Sequence, residues 1–203
     1  MESQVGDRSE DEIHQIVQRV LNRYAGLSTQ AAPAAAGPAA PKTSSSADQS
    51  AVGRKVVAIG ADHGGFELKE VLKADLAKMG YEVIDVGTHS KDAVDYPDFA
   101  HDVARLVGSG KAWRGIMIDG AGIGSCIVAN KVPGVRAGMA YDYSSALNSR
   151  EHNDTNVLTL GAGLIGGNLA KQIVNVWLAT EFGGGRHAGR VNKITAVEKQ
   201  YLK

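Results

Sequence analysis

The stretch Gly115–Lys131, GIMIDGAGIGSCIVANK, decides the fold. Its short apolar run, Ile116 to Ile118, reads as a buried strand. Asp119 follows, then Gly120, Gly122 and Gly124 at every second position, and Ser125 to Asn130 reads as the first turns of a helix. Strand, glycine-rich turn and helix in that order aim backbone N–H groups at one point, where an oxyanion or a phosphate can sit. Glycine supplies the positive φ and the close approach such a turn requires. Asp119, at the carboxyl end of the strand, stands where open α/β sheets place their chemistry. The same position also suits a carboxylate that only caps the helix.

On either side of this unit the same alternation repeats. Lys55 to Gly60 reads as a first strand ending in Ala61-Asp62-His63-Gly64-Gly65, and Phe66 to Met79 as an amphipathic helix with Leu68, Val71, Leu72, Leu76 and Met79 on one face. Tyr81 to Val86 reads as a second strand, and Asp95-Tyr96-Pro97 as the start of a helix carrying Phe99, Val103, Ala104 and Val107. Beyond the organising unit come a strand over Val135 to Tyr141, a short helix over Ser144 to Arg150, and a polar loop His152-Asn153-Asp154. A fifth strand over Val157 to Leu160, a long helix over Leu164 to Phe182, the breaker Gly183-Gly184-Gly185 and a last helix complete the chain. Strand and helix in alternation predict an α/β domain over residues 54–203, with a five-stranded parallel sheet and helices on both faces. Right-handed crossovers then put the strand-end loops on one rim. Asp62, His63 and Asp119 share that rim, and His152 and Asn153 join them if the fourth strand lies nearby.

Residues 1–26 form a separate unit. Ser9 and Glu12 have capping-box spacing, and Ile13, Ile16, Val17, Val20, Leu21 and Tyr24 fall on one helical face before Gly26. Residues 27–53 are rich in Ala, Pro and Ser and read as a linker. An amphipathic helix on such a linker suits docking into a groove of another protein; the alternative is packing on its own domain or within an oligomer.

Lys plus Arg and Asp plus Glu both number 22 in the 203 residues, so no overall basic field argues for nucleic acid. A single cysteine permits no intramolecular disulfide and suits a reducing compartment. The first residues are acidic and carry no apolar core of a secretory signal, and no run of about 18 apolar residues occurs, so a cytoplasmic protein without a membrane span is expected.

His63 at a rim can bind a phosphate or move a proton; its plainer role is a hydrogen bond within the loop. His152 can serve as an acid–base group or be a solvated loop residue. Arg186, His187 and Arg190 cluster after three glycines, and arginines at i and i+4 can fork onto a phosphate or form an ordinary solvated face. Cys126, inside an apolar helical run, reads as a core residue. No His/Cys group has metal-ligand spacing, so no metal is expected. Ser125 stands where a dinucleotide fingerprint needs its third glycine, which argues against a nicotinamide cofactor. The sum suits metal-free proton transfer on a small phosphorylated molecule.

The stretches GADHGGFELK, DVGT, DYPDFA, GAGIGSCIVANKVPGVRAG, SREHNDTNVLTLGA and GGRHAGRV keep the order and spacing of the ribose-5-phosphate isomerase B family, which includes the galactose-6-phosphate isomerase subunits. Residues 55 to about 200 resemble it. The resemblance implies a doubly wound, Rossmann-like fold and a homodimer, often paired into tetramers, with active sites between subunits. It implies aldose–ketose isomerisation of a phosphorylated sugar through an enediolate, with no cofactor. Asp62 would then hold sugar hydroxyls and His63 help bind phosphate. His152 would open the sugar ring, with Asn153 beside it. Arg186 and Arg190 would grip the phosphate, with His187 near it, and the backbone of Gly120, Gly122, Ile123 and Gly124 would stabilise the enediolate oxygen.

The departures from the family are sharp. Its usual Cys base is Asp119 here, the Glu base of other members is Ser125, and the usual Thr is Ala121. Either Asp119 is the base, or the chain is one subunit of a heteromeric six-carbon isomerase whose other subunit carries the Cys, or it is a non-catalytic sugar-phosphate-binding relative. Ribose 5-phosphate is the default substrate. The helix and linker of residues 1–53 resemble the encapsulation peptides of bacterial microcompartment cargo, which implies docking to a shell or cargo protein through residues 9–25.

Overall fold

The computed structural model describes residues 55–201, so the expected helix and linker of residues 1–53 lie outside the described residues. Five strands form one parallel sheet: β1 (Val56–Ala61), β2 (Glu82–Asp85), β3 (Arg114–Asp119), β4 (Ala137–Met139) and β5 (Val157–Gly161), in the order β2-β1-β3-β5-β4. The two edge strands, β2 with four residues and β4 with three, are the shortest. Between and after them run α1 (Phe66–Lys78), α2 (Tyr96–Gly108), α3 (Ile123–Ala129), α4 (Tyr143–Asn153), α5 (Gly167–Ala179) and α6 (Arg186–Tyr201).

The inner strands are buried on both faces, which is why they read as continuous apolar runs. Alternate residues feed two cores. Val57, Ile59, Ile116, Ile118, Leu158 and Leu160 face Leu72 and Leu76 of α1 and Ile173 and Trp177 of α5. Ala58, Met117 and Val157 face Val103 and Val107 of α2 and Ala129 of α3. The expected doubly wound α/β sheet is therefore present.

Three local expectations change. On α1, Leu72 and Leu76 are buried, but Val71 and Met79 are each 43% exposed, while Lys69 is wholly buried. The apolar stripe of that helix is narrower than its spacing suggests, and Lys69 fills the remaining slot with an ion pair. The long helix starts at Gly167, because the preceding turn sends its amides back to β3: Ala162 N–H donates to Asp119 O and Gly163 N–H to Gly120 O. His152 and Asn153, expected in a loop, are the last residues of α4. Asp154 ends that helix in the left-handed region at φ 48°, held by ion pairs to Arg136 and Arg150 at 2.8 Å each.

Among the described residues, no helix is long and apolar enough to cross a membrane.

Candidate active site

The turn after β3 is built around Asp119. Gly122 lies at φ 79°, and a Cβ there would meet the backbone of Leu160 at 3.0 Å, so only glycine lets the chain fold back this tightly. Asp119 is 4% exposed and its carboxylate points into the turn. Oδ1 accepts from the Ala121 amide at 2.8 Å and from the Gly122 amide; Oδ2 accepts from the Ser125 amide at 3.2 Å and from the Ser125 hydroxyl. Ser125 is itself fully buried. Of the four residues expected to offer their backbone to a ligand, the carboxylate thus takes the amide of Gly122 alone, beside those of Ala121 and Ser125, and it does not take those of Gly120, Ile123 and Gly124.

Beside it lies the turn after β1. Asp62, 8% exposed, accepts from the Gly65 amide through Oδ1 at 3.0 Å. Gly65 is pressed against β3: a Cβ there would come within 2.4 Å of Ile118 O. His63 is exposed, and its Nδ1 accepts from the Val94 amide at 3.2 Å. That bond places the proton of the neutral ring on Nε2, facing outward as a donor. Tyr96 covers the same corner, since a Cβ on Gly124 would lie 2.5 Å from its ring. Sequence reading took Tyr96 only as part of a helix start; an aromatic beside Asp95 and Pro97 at a rim was the signal it offered.

His152 and Asn153 do not join this rim. The helix α4 leads from the carboxyl end of β4 back to the start of the parallel neighbour β5, so its last residues lie where β5 begins. The β3 strand separates the two rims by about 17 Å. At the amino rim His152 stacks on His187, with ring centroids 4.0 Å apart and planes within 7°. His152 Nδ1 is 2.9 Å from Asn148 Nδ2, and Arg186 Nε donates to His187 Nε2 at 3.3 Å. Burial and then the positive neighbours His152, Arg186 and Arg190 push the His187 imidazole below its ordinary value. Asn153 is exposed at the end of α4, and exposed Arg190 stands one turn along α6.

Two buried arginines, which sequence reading passed over, hold this second cluster. Arg114 donates to the carbonyls of Trp177 at 2.6 Å, Leu178 at 3.0 Å and Thr180 at 3.2 Å, and so caps α5. Its guanidinium lies 4.0 Å from the Trp113 ring centroid. Arg150 donates to the same Thr180 carbonyl at 3.2 Å. Burial, and then the charge of Arg150, bring Arg114 down to about 10. Gly183 N–H donates to Glu151 O at 2.9 Å, which fixes the glycine run against α4 just ahead of Arg186.

Cys126 does not substitute for a base. It is half-buried, its Sγ is 3.5 Å from Ala137 O, and burial pushes its thiol up. A cleft of about 370 Å³ opens beside Gly64, lined by Glu67, Leu68, Val71 and Ile165 among others. None of the expected site side chains lines it.

The Ribose/Galactose Isomerase family model matches residues 57–194. The chain belongs to that family. The isomerase is 48% identical over 146 residues to ribose-5-phosphate isomerase B of Escherichia coli, covering 72% of this chain and 98% of the relative. It is 43% identical over 148 residues to D-erythrulose-4-phosphate isomerase of Pectobacterium atrosepticum, covering 71% and 95%. The solved structure of Clostridium thermocellum ribose-5-phosphate isomerase B superposes with a TM-score of 0.71 at 53% identity, covering 72% of this isomerase and 99% of that chain.

Proposed function

We propose that this isomerase interconverts ribose 5-phosphate and ribulose 5-phosphate, and that each of its sites is assembled from two copies of the chain. The similarity to isomerases of five- and four-carbon sugar phosphates supports the substrate class. The observation that carries the assembly is the division of the site. Asp62, His63 and Asp119 occupy the carboxyl rim, while His152, Asn153, Arg186, His187 and Arg190 gather at the amino rim, a strand's length away. One copy cannot bring a ring-opening histidine and a proton-transfer base to the same sugar. A second copy, presenting its amino rim to the first one's carboxyl rim, can do so twice in a closed pair.

In this reading His63 Nε2–H and the arginines hold the phosphate, Asp62 holds hydroxyls, and His152 beside Asn153 opens the ring. Asp119 takes the proton from C2 of the open-chain aldose and returns it to C1 of the enediolate, and the enediolate oxygen is bound by turn amides. To act, the carboxylate must swing out of its turn. That motion also frees the amides of Ala121 and Gly122, so base and oxyanion donors become available together. No metal or cofactor takes part.

Refolding an equal mixture of the His63→Ala and His152→Ala proteins tests the shared site. Half the pairs then combine the two variants and own one intact site each, so about a quarter of native turnover returns. A mixture no more active than the mean of its parents would place both histidines in a site of one chain.

The inward Asp119 supports a second reading, in which this chain is the phosphate-binding subunit of a heteromeric isomerase or a relative without turnover. Purified chain that binds phosphate but turns over no aldose phosphate would establish it. We also propose that residues 9–25 dock this enzyme as cargo in a microcompartment, supported by the amphipathic pattern and by a family match that begins only at residue 57. Unchanged localisation after deletion of residues 1–26 would refute this role.

A further inference from the structure

Four charged side chains lie behind the Asp62–His63 turn and take no part in the mechanism above. Lys69 on α1 is wholly buried, and its amine donates to both oxygens of Asp85 at 2.7 and 2.8 Å. It also lies 3.0 Å from Glu70 and 5.7 Å from the Phe66 ring centroid. Asp85, the last residue of β2, accepts further bonds from Lys73 at 2.7 Å and from the Gly87 amide at 3.0 Å. A buried ion pair is a poor way to stabilise a fold, since apolar residues of similar size do as well or better. Its use here is geometric.

The geometry runs directly to the rim. Lys69 sits one helical turn after Gly65, and its amide donates to Gly65 O at 2.9 Å. Gly65 in turn donates to Asp62 Oδ1. On the other side, the segment after Asp85 continues to pair with β1: Val86 N–H donates to Ile59 O at 2.9 Å, Ala61 N–H to Gly87 O at 2.6 Å and Thr88 N–H to Ala61 O at 2.6 Å. The same segment then returns to give the Val94 amide to His63 Nδ1. The turn is therefore gripped from α1 and from the 85–94 segment, and the two grips meet at one ion pair.

We propose that Lys69 and Asp85 are positioning residues for substrate binding, fixing Asp62 in place and His63 in the tautomer that donates from Nε2. The proposal rests on the reading of Asp62 and His63 as sugar-phosphate contacts.

The test is the double variant Lys69→Met, Asp85→Asn, which removes both charges and keeps an acceptor for the Gly87 amide. Its KM for ribose 5-phosphate and its inhibition constant for inorganic phosphate are measured with His63→Ala as reference, and the His63 ring is followed by nitrogen NMR. The expected result is a folded protein with both constants raised about tenfold, kcat within about threefold of native, and His63 no longer held in one tautomer. Unchanged constants and an unchanged tautomer in the folded variant overturn the proposal. If the double variant does not fold, Lys69→Met alone, which leaves Asp85 bonded to Lys73 and the Gly87 amide, is put to the same measurements, with the same outcomes deciding. Should His63→Ala itself leave both constants at native values, the assignment of His63 as a phosphate contact fails, separately from the positioning claim.

Discussion

At Asp119 two demands compete for one carboxylate. Its four bonds to Ala121, Gly122 and Ser125 close the turn, while the proposed chemistry needs the same oxygens at C1 and C2 of a sugar. The two roles separate by substitution. Asn keeps an acceptor for the Ala121 and Gly122 amides, whereas Ala keeps none. Asp119→Ala is therefore expected to cost about 1–2 kcal/mol in a denaturant titration and Asp119→Asn less. Both should lower turnover by about a hundredfold or more, with sugar-phosphate binding retained. Incubation with substrate in D2O, followed by NMR, reads the proton transfer directly. An Asp119→Asn protein that still exchanges the C2 hydrogen at the native rate would leave Asp119 with the turn alone. The sequence already posed this choice, since Asp after a strand and before a helix suits both roles. It could not resolve the choice, because the inward rotamer depends on Ser125 reaching back to the same oxygen.

Among the elements, strands and helices were legible where burial dictates pattern. Val57 to Ala61, Arg114 to Asp119 and Val157 to Gly161 are buried throughout, and within or around them Lys55 to Gly60, Ile116 to Ile118 and Val157 to Leu160 read as strands. The end of α4 was not legible, because His152-Asn153-Asp154 is polar and its helical state is secured by Arg136 and Arg150 acting on Asp154. Nor was the role of Arg114, which stands just ahead of the expected strand and has no pattern around it that marks a buried charge. Replacing it tests its use: Arg114→Met takes a donor from the carbonyls of Trp177 and Leu178 and leaves that of Thr180 to Arg150 alone, and about 3 kcal/mol of stability should be lost in thermal or denaturant unfolding. The tie between α1 and β2 gives a pH signature. Burial raises the Asp85 carboxyl, but hydrogen bonds from Lys69, Lys73 and the Gly87 amide outweigh it and bring it from 3.8 to about 2. The folded state thus releases this proton more readily than the unfolded chain. Its contribution, on the order of 1–2 kcal/mol after solvent screening, is complete above about pH 4 and is lost as pH falls from about 4 to about 2. Denaturant midpoints taken near neutrality and at about pH 3 should show this loss, and a smaller one in Asp85→Asn.

For the molecule as a whole, sequence order foretold five parallel strands but not which rim His152 would reach. That depended on α4 running its full length down the sheet before β5 begins. The consequence of the divided site is a dependence on concentration: turnover per chain should fall on dilution and return when the protein is concentrated, whereas a site within one chain would be indifferent. Large apolar side chains such as Ile123, Ile127, Tyr141 and Leu164, each more than half exposed, would supply surface for the proposed meeting of copies. The short outer strands limit how that meeting can happen. With only four and three residues at its margins, the sheet offers almost no unpaired backbone for another sheet to extend. Backbone recognition is indifferent to sequence and propagates into fibres; contacts made by side chains are selective and can close on themselves. Crowding such a molecule favours finite assemblies over endless ones.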